Sequence, residues 1–155
     1  ASEMGVEPDL EAVAKTHWPG RIERFGNLIL DCAHNPAAIR ALGQWVRRQR
    51  AASVHVIFGA MHGKDVSTMA QLVEAWADTV TLVTPNYPRR VEAVTLKDLF
   101  SEGRARVAAS VREAVNSAPP DALTVVCGSG FLVGEVRAIL TGQPYPEEGL
   151  STTAR

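Results

Sequence analysis

The chain has 155 residues, of which 46% are hydrophobic and 21% are charged, and its formal net charge is −1. This length suits one domain with its own core, and the balanced charge argues against nucleic acid or an anionic membrane as a partner. No apolar run is long enough to cross a bilayer, and the first residues do not resemble a signal peptide. The two cysteines, Cys32 and Cys127, suit a reduced cytoplasmic protein better than a disulfide framework.

The spacing of apolar and turn residues predicts strands that alternate with helices. In chain order the predicted elements are a helix or arm at 8–16, a hairpin of strands 21–25 and 27–31, a helix at 36–49, a strand at 53–60, a helix at 65–77, a strand at 78–85, a loop at 86–94, a short helix at 96–100, a strand at 105–110, a helix at 111–118, a strand at 122–129 and a helix at 131–140.

Such an alternation forms βαβ units, so we predict an α/β fold. The sheet should be Rossmann-like and mostly parallel, with helices on both faces. The apolar strands 54–58 and 123–127 suit central positions, and the hairpin, which turns at Gly26-Asn27, suits an antiparallel edge. The residues that follow Gly142 are rich in proline and small polar side chains, which favours a flexible tail at 143–155.

Ligands of open parallel sheets bind beyond the carboxyl ends of the strands, so the loops at those ends deserve closest reading. At the first of them, Asn35 can cap the following helix and Pro36 suits its first turn. Asp31 and His34 lie just before that helix. The acid can accept hydrogen bonds from a ribose hydroxyl pair, and the imidazole can donate to a phosphate. Local chemistry alone favours the structural alternative, in which Asp31 binds loop N–H groups and His34 is an ordinary turn residue.

Two further loops carry candidate ligand groups. Lys64 follows a glycine-containing turn and can face a ligand, although an exposed βα loop is an equally good interpretation. The stretch 127–137 matches neither the phosphate-loop pattern nor the dinucleotide-binding glycine pattern, yet backbone N–H groups around Ser129 can meet a ligand. We expect Glu135 and Arg137 to be exposed helix residues, with Glu135 able to brace a neighbouring loop. Nothing in the sequence indicates a nucleophilic catalytic pair or a metal site.

Four stretches in this order carry a resemblance to one family: WPGRIERF at 18–25, LILDCAHNPAA at 28–38, FGAMHGKD at 58–65 and VVCGSGFLVGEVR at 125–137. Together they resemble the carboxy-terminal domain of bacterial folylpolyglutamate synthase/dihydrofolate synthase, a member of the Mur ligase superfamily of ATP-dependent amide-bond-forming ligases. The most specific of them is the D-x-A-H-N-P motif at 31–36. The resemblance extends over residues 18–140.

The resemblance implies a Mur ligase C-terminal-type domain at 18–142 that closes over a separate amino-terminal ATPase domain. Residues 1–17 would then be a linker or helical arm from that missing domain. The implied enzyme is cytoplasmic and uses ATP and Mg²⁺, with Mg²⁺ held mainly by the missing domain, to convert a folate or dihydropteroate carboxylate into an acyl phosphate. The amine of L-glutamate then attacks it. The chain has no phosphate-loop lysine, so we expect it to be inactive by itself.

The resemblance also implies roles for individual residues. Arg21 and Asp31 would hold ATP, and His34 would lie near both nucleotide and incoming glutamate as a catalytic residue. Lys64 and Ser129 are candidate substrate-binding residues, and no metal ligand is expected.

Two departures from the family pattern are Cys32, where glycine is usual, and HGKD at 62–65, where D-K-D is usual.

The alternatives to a folate ligase domain are a Mur-type cell-wall amino-acid ligase domain and a non-catalytic Rossmann-like binding module. Neither nucleic acid nor a membrane is expected as a partner.

Overall fold

A computed structural model describes residues 18–145 as a six-stranded sheet flanked by helices. The strands are β1 (Glu23–Phe25), β2 (Leu28–Leu30), β3 (Val54–Phe58), β4 (Thr79–Leu82), β5 (Ala105–Val107) and β6 (Leu123–Cys127). Their order across the sheet is β1-β2-β6-β3-β4-β5, with β1 antiparallel to β2 and every other pair parallel. The predicted mostly parallel sheet, the central pair and the antiparallel edge hairpin are therefore confirmed. The predicted arm at 8–16 and linker at 1–17 lie outside the described residues, as does the tail from 146 onward.

Helices cover both faces of the sheet, as predicted. They are α1 (Pro36–Arg48), α2 (Val66–Glu74), α3 (Ala93–Lys97), α4 (Val111–Asn116) and α5 (Gly130–Thr141). Buried residues of α1, α2 and α3 pack with one set of strand side chains, and those of α4 and α5 pack with the other. Because successive strand residues face opposite sides, β3 sends Val56 and Phe58 to the first core and Ile57 to the second.

The helix starts follow the capping chemistry of the sequence. The Asn35 side chain accepts from the Ala38 N–H at 2.9 Å, and the Asp65 side chain accepts from the Thr68 N–H at 3.1 Å. The short helix predicted at 96–100 begins earlier, at Ala93. Its first N–H donates to the Thr84 hydroxyl at 2.9 Å, a partner from the preceding strand end that spacing along the chain does not reveal.

The first residues of the predicted tail lie against α5. The Gln143 N–H donates to the Ala138 carbonyl at 3.1 Å, and the Tyr145 hydroxyl donates to the Phe131 carbonyl at 3.2 Å. Residues 143–145 therefore return toward the beginning of α5.

No helix within residues 18–145 is long and apolar enough to span a bilayer.

Candidate functional site

Asp31 lies at the carboxyl end of β2 and holds two loops. Its main-chain N–H extends the sheet by donating to the Val126 carbonyl at 3.0 Å. Its side chain accepts from the Ala33 N–H at 2.9 Å and from the Ile22 N–H at 3.0 Å. Burial raises the pKa of this carboxyl, while the two N–H donors and the Arg21 charge act in the opposite direction. The structural role that local chemistry favoured for Asp31 is therefore confirmed as a set of contacts.

The loop that carries Arg21 packs closely on the turn after β2. The Cys32 N–H donates to the Gly20 carbonyl at 2.7 Å. Gly20 has φ +72°, and a Cβ there would lie 2.7 Å from Cys32 Sγ and 2.9 Å from Val133 Cγ1. The unusual Cys32 side chain is thus accommodated because position 20 has no side chain. Arg21 itself is exposed beside Asp31.

An ion pair anchors the same loop to α5. The Gly20 N–H donates to a Glu23 carboxylate oxygen at 2.8 Å, and Arg137 Nε lies 3.0 Å from the other oxygen. The expectation that Arg137 is an exposed helix residue is wrong: its side chain is 35% exposed, and that of its partner Glu23 only 12%. The ion pair therefore joins α5 to the first residue of β1, and through Glu23 it also holds the loop that contains Gly20.

His34 is exposed, and one of its ring nitrogens is held by the turn after β2. Nδ1 lies 2.8 Å from the Cys32 carbonyl oxygen. A carbonyl only accepts, so Nδ1 carries a proton and donates. In the neutral ring Nε2 is then the proton acceptor.

A cavity of about 350 Å³ opens at the carboxyl ends of β2, β3, β4 and β6. It brings together His34, Lys64 and Ser129, three of the five predicted site residues. Arg21 and Asp31 do not line it and lie on the adjoining loops. The remaining lining residues, which were not among the predicted site residues, are Met61, Tyr87, Arg89, Gly128, Gly130 and Phe131.

Ser129 is buried and is the N-cap residue of α5. Its hydroxyl oxygen accepts from the Phe131 N–H at 3.1 Å. The hydroxyl hydrogen remains able to donate to a ligand. The start of α5 also lines the cavity at Gly130, and the N-terminus of a helix of this length favours an anion.

A small antiparallel bridge places Lys64 and Arg89 at the same cavity. Met61 pairs with Arg90, and the His62 N–H donates to the Arg89 carbonyl at 2.8 Å. The Arg89 guanidinium returns a bond of 3.1 Å to the His62 carbonyl. Gly63, at φ +82°, leaves room for that guanidinium, since a Cβ there would lie 3.2 Å from Arg89 Nη2. The HGKD loop at 62–65 therefore supports the Arg89 guanidinium.

Two stacked rings form an apolar wall beside these cations. The centroids of Tyr87 and Phe131 are 3.5 Å apart, and the ring planes differ by 18°. The lining side chains include no acid. Lys64, Arg89 and the start of α5 therefore suit a small anion that also presents an apolar or flat part.

Within residues 18–145, no group of three or more His, Cys, Asp and Glu side chains is arranged to hold a metal ion. The described part of the chain therefore has no obvious metal centre built from these side chains.

Comparison with known proteins places these observations in context. A family model described as "Mur ligase, glutamate ligase domain" matches residues 20–130. A probable bifunctional folylpolyglutamate synthase/dihydropteroate synthase from Halobacterium salinarum is 34% identical over 145 residues, which are 86% of this chain and 18% of that protein. A UDP-N-acetylmuramoyl-L-alanyl-D-glutamate–2,6-diaminopimelate ligase from Corynebacterium efficiens is 30% identical over 166 residues, with coverage of 91% and 32%.

Solved structures show the same similarity. The crystal structure of Mycobacterium tuberculosis folylpolyglutamate synthase complexed with ADP and AMPPCP superimposes with a TM-score of 0.75 and 26% identity. The match covers 85% of this chain and 34% of that one. The chain spans about a fifth to a third of the length of the curated relatives it matches.

Proposed function

Because this chain belongs to the Mur ligase family, as its glutamate ligase domain, we propose that it forms the carboxy-terminal part of an ATP-dependent carboxylate–amine ligase. The reaction is addition of L-glutamate to the carboxylate of a folate or a dihydropteroate. The choice of a folate substrate is supported by the similarity to the Halobacterium salinarum protein and to the Mycobacterium tuberculosis folylpolyglutamate synthase. The observation that carries it is the acid-free cavity in which Lys64 and Arg89 meet the start of α5.

Glutamate offers two carboxylates and one amine, and the cavity offers matching partners. Lys64 and Arg89 bind carboxylate oxygens, and the Ser129 hydroxyl donates beside them. As the amine attacks the activated acyl carbon, a C–N bond forms, the C–O bond to phosphate breaks so that phosphate leaves, and the amine loses a proton. His34 presents a proton acceptor at Nε2 on the rim of the same cavity, so we assign it the catalytic role of taking that proton.

Arg21 and Asp31 form the nucleotide-facing part of this proposal. Arg21 is exposed, and each Asp31 oxygen has a lone pair beyond the one used for a loop N–H. These residues therefore fit a ribose hydroxyl pair and a phosphate. When bound, ATP supplies the phosphoryl group that activates the substrate carboxylate as an acyl phosphate. We propose that Mg²⁺ is held mainly by an amino-terminal ATPase domain of the same polypeptide.

The chain by itself is then half of an active site, which closure of the ATPase domain completes and shields from water. We propose a cytoplasmic location, where reduced thiols such as Cys32 and Cys127 persist. Neither nucleic acid nor a membrane is part of the proposed function.

The test is an ADP-release assay of the full-length polypeptide with ATP and Mg²⁺. We expect release that requires both L-glutamate and a folate or dihydropteroate acceptor, and none from the isolated chain. The similarity to a diaminopimelate-adding ligase makes a cell-wall ligase the second candidate. Release that requires a UDP-linked muramoyl peptide instead of a folate would favour that candidate. No release with either acceptor would favour the non-catalytic binding module.

A further inference from the structure

The Tyr87–Arg89 segment supplies one wall of the cavity, and two separate supports hold it. On one side, Arg89 is bonded to His62 through the bridge after β3. On the other side, the Tyr87 ring stacks on Phe131 of α5. The Tyr87–Arg89 segment therefore contacts the loop after β3 on one side and α5 on the other, and its position depends on both contacts.

Glu135 adds a second attachment to α5. It lies four residues after Phe131, so both side chains project from the same face of the helix. A Glu135 carboxylate oxygen accepts from the main-chain N–H of Asn86 at 3.0 Å. Asn86 directly precedes Tyr87. The sequence-based expectation that Glu135 can brace a neighbouring loop is confirmed by this contact, although the residue is half-buried, not exposed.

An ion pair does not explain the carboxylate at this place. No Lys or Arg of residues 18–145 lies within ion-pair distance of Glu135. Burial raises the pKa of its carboxyl, and the Asn86 hydrogen bond only partly offsets that effect. A half-buried acid without a counter-charge is a poor way to stabilise a fold. An apolar residue of similar size would suit the helix better if packing were the sole requirement.

We propose that Glu135 is a positioning residue, which holds the Tyr87–Arg89 segment at the spacing that the amino-acid substrate requires. It touches neither the cavity nor the substrate; it acts through the Asn86 N–H and the ring stack one turn away. The inference rests on the proposed function, since it gives the cavity an amino acid to bind. Its consequence is that loss of the acceptor lets the wall move and weakens binding of glutamate more than it slows the reaction.

The experiment compares Glu135→Ala and Glu135→Gln in the full-length ligase, with Glu102→Ala as a matched control at an exposed acid on a distant loop. For Glu135→Ala we expect a KM for glutamate raised about tenfold, kcat within about twofold, and an unchanged melting temperature. The carboxamide oxygen of Glu135→Gln still accepts from Asn86, so this variant should recover a KM close to that of the wild type. Glu102→Ala should match the wild type throughout.

Three results would overturn the inference: a wild-type KM in Glu135→Ala, equal defects in the alanine and glutamine variants, or a melting temperature that falls in step with activity. If Glu135→Ala does not fold, Glu135→Asp keeps the charge but withdraws the acceptor by one methylene. A raised KM in that variant supports the inference, and a wild-type KM refutes it. Lys64→Ala, run in parallel, separates the two proposals: if it raises the KM while the Glu135 variants do not, only the positioning role fails. If Lys64→Ala also leaves the KM unchanged, the assignment of this cavity to glutamate fails, whereas the proposed function itself fails only if ADP release does not require glutamate and a folate or dihydropteroate.

Discussion

The main-chain N–H of Ile22 donates a 3.0 Å hydrogen bond to Asp31 Oδ2, while Oδ1 accepts from Ala33 at 2.9 Å. One acid at the end of β2 therefore fixes its own turn and also the loop that carries Arg21. Structural anchoring and nucleotide binding are compatible roles for this carboxylate, because each oxygen keeps a further lone pair. The two roles have different experimental signatures.

Replacement of Asp31 by alanine should lower both stability and ATP affinity. The change leaves the N–H groups of Ile22 and Ala33 without their acceptor, which should reduce the free energy of unfolding by about 1–2 kcal/mol. Urea denaturation of this chain measures the stability effect, and the KM for ATP of the full-length enzyme measures the other. Asp31→Asn, which retains one acceptor oxygen, should fall between. Unfolding identical to the wild type would show that the two hydrogen bonds contribute nothing to stability.

Replacement of Arg21 by alanine should separate the two signatures. Its side chain is exposed, so the free energy of unfolding should change by less than about 0.5 kcal/mol. The KM for ATP of the full-length enzyme should rise, since the guanidinium is the proposed phosphate partner. An ATP requirement equal to that of the wild type would remove Arg21 from the site.

Replacement of His34 by alanine should lower turnover. Loss of a positioned proton acceptor costs on the order of a hundredfold in kcat at saturating substrates. Steady-state kinetics of the full-length enzyme at fixed pH measures the change in kcat. Gln44→Ala, at an exposed position of α1, is the control. If kcat stays unchanged in His34→Ala, Nε2 is not the proton acceptor.

Replacement of Gly20 by alanine should destabilise the domain strongly. The new Cβ would meet Cys32 Sγ at 2.7 Å and Val133 at 2.9 Å, at a φ that disfavours a side chain, so we expect a loss of about 3 kcal/mol. Gly26→Ala is the matched control: its φ is also positive, at +61°, but no atom lies within 4 Å, so about 1 kcal/mol should be lost. Adding Cys32→Gly to Gly20→Ala should restore part of the stability. Equal losses at both glycines would contradict this explanation.

Stability should fall in acid because of His55. The ring is buried in β3, with Nδ1 2.8 Å from the Thr79 hydroxyl and Nε2 3.1 Å from that of Thr81. Burial, and secondarily the Arg106 charge, lowers the pKa of His55 from 6.5 to about 4. The unfolded chain therefore binds this proton at a higher pH than the folded one, so the contribution to stability is complete above pH 6.5 and is lost as pH falls through about 4.

The size of that effect can be measured by urea unfolding at a series of pH values. The shift corresponds to about 3 kcal/mol lost between roughly pH 6.5 and pH 4. In His55→Leu the slope over this interval should decrease, whatever the variant's stability at neutral pH. A slope equal to the wild type's would show that other groups cause the acid sensitivity.

Local sequence determined the elements and their order. Apolar periodicity predicted the alternation of strands and helices, and turn residues predicted the edge hairpin at Gly26-Asn27. Asn35 and Asp65 cap the helices that their positions indicated. These features depend on contacts within about four residues along the chain, and such contacts are legible from spacing.

Only part of the candidate site could be predicted from the sequence. His34, Lys64 and Ser129 were predicted from motif and loop position, and they do line one cavity. Tyr87 and Phe131 were not singled out, because the apolar character of a ring indicates a core as readily as a binding wall. Their stacking joins two segments that lie 44 positions apart, and no local pattern encodes it.

The tertiary structure alone decided which loop side chains face the cavity. Arg89 lies there because its guanidinium donates a hydrogen bond to the main-chain carbonyl of His62, 27 residues away. Arg137, expected at the surface, is paired with Glu23 across 114 residues. The sequence by itself determined what each segment becomes, since that depends on neighbours along the chain. Which charges meet was determined by strand order, because β6 is inserted between β2 and β3 and brings the last helix beside the first loops.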